Sequence, residues 1–359
     1  MDYKRRQDNL IRLLENRSLD ALLIRKRQNI SYLLGSKGED SILIASRKKN
    51  FLLTDSRYKE EYSNSIKGCC LKIIRPNDAY ECIETIAKKN RLRRVGFESN
   101  NFSYSEYAGL KKNLINIVLR PVKDMVESLR MIKEDDEVRC IKVACKYGCD
   151  AMNHGLKTVK NFLSERAVKN RIEGYMLKRG LRRAGFDIIV ASGENASKPH
   201  ASISDKKIKK GEMVIIDLGT MNYGYNSDLT RTVFLGRIYR KYLRIYNIVL
   251  DAQRRAIENI KPGVKAKHID AISRRYISSK GLGKYFIHSL GHGIGLETHE
   301  EPHISGNSSA ILEKNMIITI EPGVYIPGWG GVRIEDVVRV TEEGYEVLSD
   351  GSSRKALCG

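Results

Sequence analysis

Hydrophobic and polar positions along the chain follow two different periods, and the change between them divides the sequence. In residues 1 to about 122, short apolar β-prone runs at 22–24, 42–45, 71–74 and 94–97 stand between stretches of helical period such as 80–89. Runs of that length alternating with helices predict an α/β domain. Pro121 begins a junction. The stretches 133–162 and 165–183 are long, charged and helical in pattern. After Ile188 strand and hairpin signals dominate. Helices near 239–260 and 267–280 interrupt them, and Pro262-Gly263 parts those two helices. The pattern therefore predicts an α/β domain over 1–122, followed by an α+β domain over 123–359.

Two strand pairs in the second domain carry carboxylates at matched places. Residues 213–219 and 225–235 read as strands around Met221-Asn222-Tyr223-Gly224. A tight hairpin centred between Asn222 and Tyr223 pairs residues whose numbers sum to 445, which sets Asp217 directly opposite Asp228. Residues 316–325 and 332–340 read as strands around a turn at 327–331. An apex near Gly328 sets Glu321 opposite Glu335. Like charges so placed repel, and a cation between them is the natural reason for the pairing. Taken singly, each acid reads as a solvated strand-end charge. His292 lies in Gly291-His292-Gly293-Ile294-Gly295, too glycine-rich for a helix interior, so His288 and His292 do not form a helical metal motif. The flanking glycines let backbone approach a ligand or another strand. Four carboxylates and one imidazole make a hard, oxygen-rich set that suits two divalent ions better than one tetrahedral zinc.

The segments SGENASKPHA, IIDLGTMNYGYNSDLTRTVFLG, HSLGHGIGLETHEEP and MIITIEPGVYIPGWGGVRIEDVV resemble the pita-bread metallopeptidases. The resemblance is to the Xaa-Pro branch, which holds Xaa-Pro aminopeptidase and Xaa-Pro dipeptidase (prolidase). It continues more weakly through ALLIRKRQNISYLLG and FLLTDSRYKEEY, which look like that branch's creatinase-like N-terminal domain. It implies a pita-bread catalytic domain in which Asp217 is a terminal metal ligand, Asp228 and Glu335 bridge two ions, and His292 and Glu321 complete the other site. It also implies a catalytic role for Glu321 as general base, for His299 in steadying the oxyanion, and for His200 in holding substrate. His288 and Arg333 match substrate-site positions. The implied cofactor is a pair of divalent ions. Oxygen-rich ligation suits manganese, and cobalt, iron and zinc occupy such sites too. The implied substrates are short proline-containing peptides, and the implied assembly is a homodimer. Aminopeptidase activity is favoured slightly over the dipeptidase alternative, because the 327–331 turn is short and no added carboxylate-binding motif is present. The alternative of another class is a non-catalytic binding scaffold. It has little support, because no ligand position is substituted.

Composition adds a compartment and one unexplained feature. The first twenty residues are charge-rich, and no apolar run has the length of a membrane span, so a cytoplasmic protein is expected. Seven cysteines without a CxxC pattern read as reduced thiols. Lys and Arg number 64 against 43 Asp and Glu, a formal charge of +21. Such charge suits nucleic acid or anionic surfaces. Because the cations are spread along the whole chain, a solvated surface is the preferred reading and nucleic acid is not expected as the main partner.

Overall fold

A computed structural model describes residues 1–352. The chain forms two compact units, Met1–Arg130 and Met131–Gly359.

The first unit is a mixed sheet with helices α1 (Tyr3–Asn16), α2 (Arg27–Leu34), α3 (Lys59–Ser65), α4 (Ala79–Asn90), α5 (Tyr104–Asn113) and α6 (Met125–Arg130). Its strands are β1 (Ala21–Ile24), β2 (Ile42–Ser46), β3 (Asn50–Thr54), β4 (Cys69–Ile73), β5 (Arg94–Glu98) and β6 (Val118–Val122), in the order β4-β3-β2-β1-β5-β6. Strand β2 alone runs antiparallel to its neighbours. β1 is buried at every position, as a strand covered on both faces must be. Ile83, Ile86 and Leu110 of α4 and α5 close over Leu23, Ile44 and Leu53. A reciprocal capping box of Ser103 and Glu106 starts α5. β6 includes Pro121, which its edge position tolerates because no further strand needs the missing N–H.

The second unit has helices α7 (Asp135–Thr158), α8 (Glu165–Lys178), α9 (Arg240–Ile257) and α10 (Ala266–Ser279). Its first strands are β7 (Arg182–Arg183), β8 (Ile189–Ser192), β9 (Met213–Leu218), β10 (Thr220–Asn222), β11 (Tyr225–Asn226) and β12 (Leu229–Phe234). They continue with β13 (Gly291–Gly293), β14 (Glu300–Ile304), β15 (Ile317–Ile320), β16 (Gly323–Ile326), β17 (Gly330–Arg333), β18 (Asp336–Val340) and β19 (Tyr345–Val347). Two sheets matter most, β12-β9-β8 and β14-β13-β15-β18-β19.

Period-two alternation decides where the acids point. On β9, Val214, Ile216 and Leu218 pack with Val168 and Ile172 of α8, which leaves Asp217 on the other face. On β15, Ile318 and Ile320 pack with Val249 of α9 and Ile269 of α10, which leaves Thr319 and Glu321 on the face away from those helices. The helices thus cover the outer sides and the carboxylates gather on the inner ones.

The first hairpin corrects the sequence-based register. Thr230, not Asp228, lies opposite Asp217, and Asn222 pairs with Tyr225. The turn is Tyr223-Gly224, with φ of 48° and 85°. A two-residue turn of this hand needs positive φ at both central positions, and Gly224 is the residue that adopts it without strain. That moves the apex one residue along. Asp228 falls in the gap between β11 and β12, a diagonal neighbour of Asp217 on the same face. The second hairpin keeps the expected register. Ile320 pairs with Asp336 and Gly323 with Arg333, so Glu321 and Glu335 face each other between the two ladders. No helix among the described residues is long and apolar enough to cross a membrane. Six cysteines are free thiols, and Cys358 lies outside the described residues.

Candidate metal centre

The glycines around His292 mark two backbone crossings. A Cβ on Gly291 would sit 2.0 Å from the Thr319 carbonyl oxygen, and one on Gly293 would sit 2.2 Å from that of Glu301. Only glycine lets β13 lie this close to both neighbours, which brings the His292 ring to the acids. Its Nδ1–H donates to the Gly293 carbonyl at 3.0 Å, so Nε2 is the free ligand atom. That Nε2 is 3.3 Å from Glu321 Oε1 and 3.7 Å from Asp228 Oδ2. Asp228, His292 and Glu335, all buried, present ligand atoms within 4.8 Å of one another.

Asp217 and Glu321 line the same cavity of about 650 Å³, but other groups hold them. Asp217 Oδ2 accepts from Arg333 Nη2 at 2.5 Å, while its Oδ1 is buried without a partner. Glu321 Oε1 accepts from Thr319 Oγ1 at 3.2 Å.

Burial drives the electrostatics. It pushes Asp228 and Glu335 well above the ordinary carboxylate range, and their neighbours add to the rise: Asp217 for Asp228, Asp228 for Glu335. Burial also raises Asp217, although Arg333 opposes it. Against its own burial, His292 is raised to about 9 by Glu321 and Asp228. Glu321, also against burial, is lowered to about 2 by His292. Such a crowd of buried acids stays ionised only beside added positive charge. The orphan Asp217 oxygen, the clustered ligand atoms and the hard donor set fit divalent cations.

Arg333 ties the site together. Its Nε donates to Thr230 Oγ1 at 3.1 Å and its Nη1 to Tyr325 Oη at 2.8 Å and the Pro199 carbonyl at 3.1 Å. Thr230 Oγ1 donates in turn to Glu335 Oε2 at 2.7 Å. His288 donates from Nδ1 to the Ser289 carbonyl at 2.7 Å, so Nε2 accepts from the Tyr325 hydroxyl at 3.0 Å. Burial lowers the His288 pKa and keeps that neutral tautomer. The His299 ring lies 4.2 Å from that of His292, and burial lowers its pKa as well. His200, exposed, lines the cavity beside Pro199. All the residues singled out in the sequence therefore meet in one cavity.

Sequence reasoning missed Thr230, Thr319, Tyr325, Lys169 and His303, which bond to the acids or line the cavity. A signal existed for the two threonines. Each lies two residues from an acid and so shares its face of the strand.

Comparison with known proteins identifies the family and the fold. Residues 139–342 match the model of metallopeptidase family M24, and residues 6–132 match the creatinase/prolidase N-terminal domain. The chain is 37% identical over 341 residues to a protein named Xaa-Pro dipeptidase from Pyrococcus horikoshii, covering 95% of each. A solved Xaa-Pro dipeptidase from Bacillus anthracis superposes with a TM-score of 0.95 at 36% identity, covering 99% of this chain and 100% of that one. An X-Pro aminopeptidase from Thermotoga maritima does so with a TM-score of 0.89 at 31% identity, covering 99% and 100%. With its pita-bread catalytic domain behind a creatinase-type N-terminal domain, the chain belongs to metallopeptidase family M24.

Proposed function

We propose that the chain is a dinuclear metal-dependent Xaa-Pro dipeptidase. The observation that carries the metal chemistry is the buried Asp228–His292–Glu335 cluster beside the unpartnered oxygen of Asp217. Asp217 would help hold one ion, His292 and Glu321 the other, and Asp228 and Glu335 would lie within reach of both. Manganese is the ion we favour. When bound, the ions supply Lewis acidity, polarising a peptide carbonyl and lowering the pKa of water. Glu321, held ionised, accepts the proton of the attacking water. His299, neutral near pH 7, donates a hydrogen bond to the developing oxyanion. His200 holds the substrate at the open side, and the Arg333–Tyr325–His288 chain fixes the wall.

Proline in second place is supported by the relatives' names. It is chemically coherent, since a proline amide has no N–H and ordinary peptidase sites depend on one. A dipeptide also ends in a carboxylate, and Lys169, His200 and His303 line the cavity outside the ligand set. This reverses the ordering drawn from the sequence, where the short turn favoured an aminopeptidase. Xaa-Pro aminopeptidase stays as the second reading, supported by the Thermotoga maritima structure.

The deciding experiment strips the purified protein with chelator and reloads it with manganese, cobalt or zinc singly. The kcat/KM for Xaa-Pro dipeptides is then compared with that for Xaa-Pro-Xaa tripeptides. Cleavage confined to dipeptides is expected. Faster cleavage of tripeptides would establish the aminopeptidase, and no cleavage of either with any metal would refute both.

A further inference from the structure

The peptidase reading leaves the basic charge unused. Between Arg237 and Lys284 the sequence holds thirteen Lys and Arg but only three Asp and Glu. The fold sorts these residues onto one surface. Helix α9 buries Ile245, Val249, Ala252 and Ala256, and turns Arg240, Lys241, Arg244, Arg254 and Arg255 to solvent. Spacings of three and four residues align such positions in one stripe. Helix α10 likewise exposes Lys267 and, a little over two turns further on, Arg275.

The seam between the helices carries cations over rings. The Arg255 guanidinium lies 4.4 Å from the Tyr276 ring centre and Lys280 Nζ lies 5.3 Å from it. At the start of α9, Lys241 Nζ is 5.3 Å from the Trp329 ring and Tyr239 is 58% exposed. The acids offset only part of this charge. Asp270 is buried in an ion pair with Arg274 at 2.7 Å, Asp251 is half-buried beneath the Tyr276 hydroxyl at 3.1 Å, and of the three only Glu258 is exposed. An open groove of about 850 Å³ beside α10 is lined by Lys265, Lys267, His268 and Arg275 together with the Arg274–Asp270 pair.

We infer that the outer face of α9 and α10 binds the phosphodiester backbone of single-stranded nucleic acid. The cations match the phosphates, and the rings beside them offer stacking surfaces for bases. A lipid surface fits less well. Helices that lie on membranes bury an apolar face in them, and here the apolar faces are already packed on the sheet. The inference goes beyond the peptidase reading and does not depend on it. The surface covers the side of the sheet opposite Thr319 and Glu321.

The test uses the full, metal-loaded chain and a fluorescent 20-nucleotide oligouridine, followed by anisotropy. With about six phosphates engaged, affinity should fall on the order of 300-fold between 50 and 200 mM salt. Joint Arg254→Glu, Lys267→Glu, Arg275→Glu and Lys280→Glu should weaken binding at least tenfold at the lower salt (about 1.4 kcal/mol or more), with peptide kcat/KM unchanged as proof of folding. The same reversals at Lys48, Lys49, Lys111 and Lys112 should leave binding as it is. Three results would each overturn the inference: wild-type binding by the helix variant, equal loss in the control variant, or tighter binding to vesicles of phosphatidylserine and phosphatidylcholine than to the oligonucleotide.

Discussion

Thr230→Val tests how the threonine hydroxyl holds the metal centre together. Valine keeps the shape of threonine but removes the hydroxyl, which bonds to Glu335 Oε2 at 2.7 Å and receives Arg333 Nε–H at 3.1 Å. Thr230 is completely buried, so no water replaces it. In metal-free protein burial favours the neutral form of Glu335, and the bond to that form is an ordinary one of about 1 kcal/mol. The bond from the charged guanidinium is worth about 1.5–3 kcal/mol, and both partners are left unpaired. A loss of about 3 kcal/mol is expected, which lowers the Tm of a unit this size by about 6–12 °C. Thr230→Ser keeps both bonds and loses one methyl, about 1 kcal/mol. Calorimetry in chelator and after metal reloading gives both values. The valine variant should also retain less metal after dialysis, because Glu335 and Arg333 lose their common anchor. A valine variant more stable than the serine variant would refute the reasoning.

Metal-free protein should lose stability as pH rises from about 6.5 through about 9. Asp228 and Glu335 have folded pKa values above their unfolded ones, so rising pH favours the unfolded chain, which releases those protons more readily. His292 adds the same sign, since its stabilisation is complete below its ordinary 6.5 and is lost as pH rises through about 9. The Tm gap between metal-loaded and metal-free protein should therefore widen with pH. Calorimetric titration at pH 7 should show about one proton released from His292 alone, and a constant gap with no proton release would contradict this account. His292→Ala should lower both metal content and turnover. His299→Ala should keep its metal and lose about 10²–10⁴-fold in kcat. Equal metal loss in the two variants would show that ligand and catalyst have been assigned to the wrong rings.

The alternation of apolar runs made both units legible, and the glycines around His292 announced close backbone approach. The hairpin at Gly328 could be read to its register because glycines and a proline crowd one short turn. The hairpin at Tyr223-Gly224 could not, since four turn-prone residues offered two apices and only the positive φ of both central residues selects one. The contacts of Thr230 and Thr319 were visible only as period-two neighbours of acids. A hydroxyl's partner depends on which strands meet across the centre, and no spacing within one hairpin encodes that. The concentration of charge on α9 and α10 was present in the residue count, but helical phase was needed to show that it forms one face.

The uniform register of the second hairpin turns its tip into a ruler for a site it does not touch. Residues pair with the same offset in β16–β17 and in β15–β18, although these ladders belong to different sheets. Glu321 and Glu335 sit where the chain passes from one ladder to the other, fourteen residues apart in sequence. A one-residue deletion among Pro327, Gly328 and Trp329 would face Glu321 against a residue of the opposite parity and carry one carboxylate to the helix side. The chemistry asks only for two acids near each other. The distance between them along the chain is fixed by a solvent-side turn, which makes the length of that turn as much a part of the centre as the acids themselves.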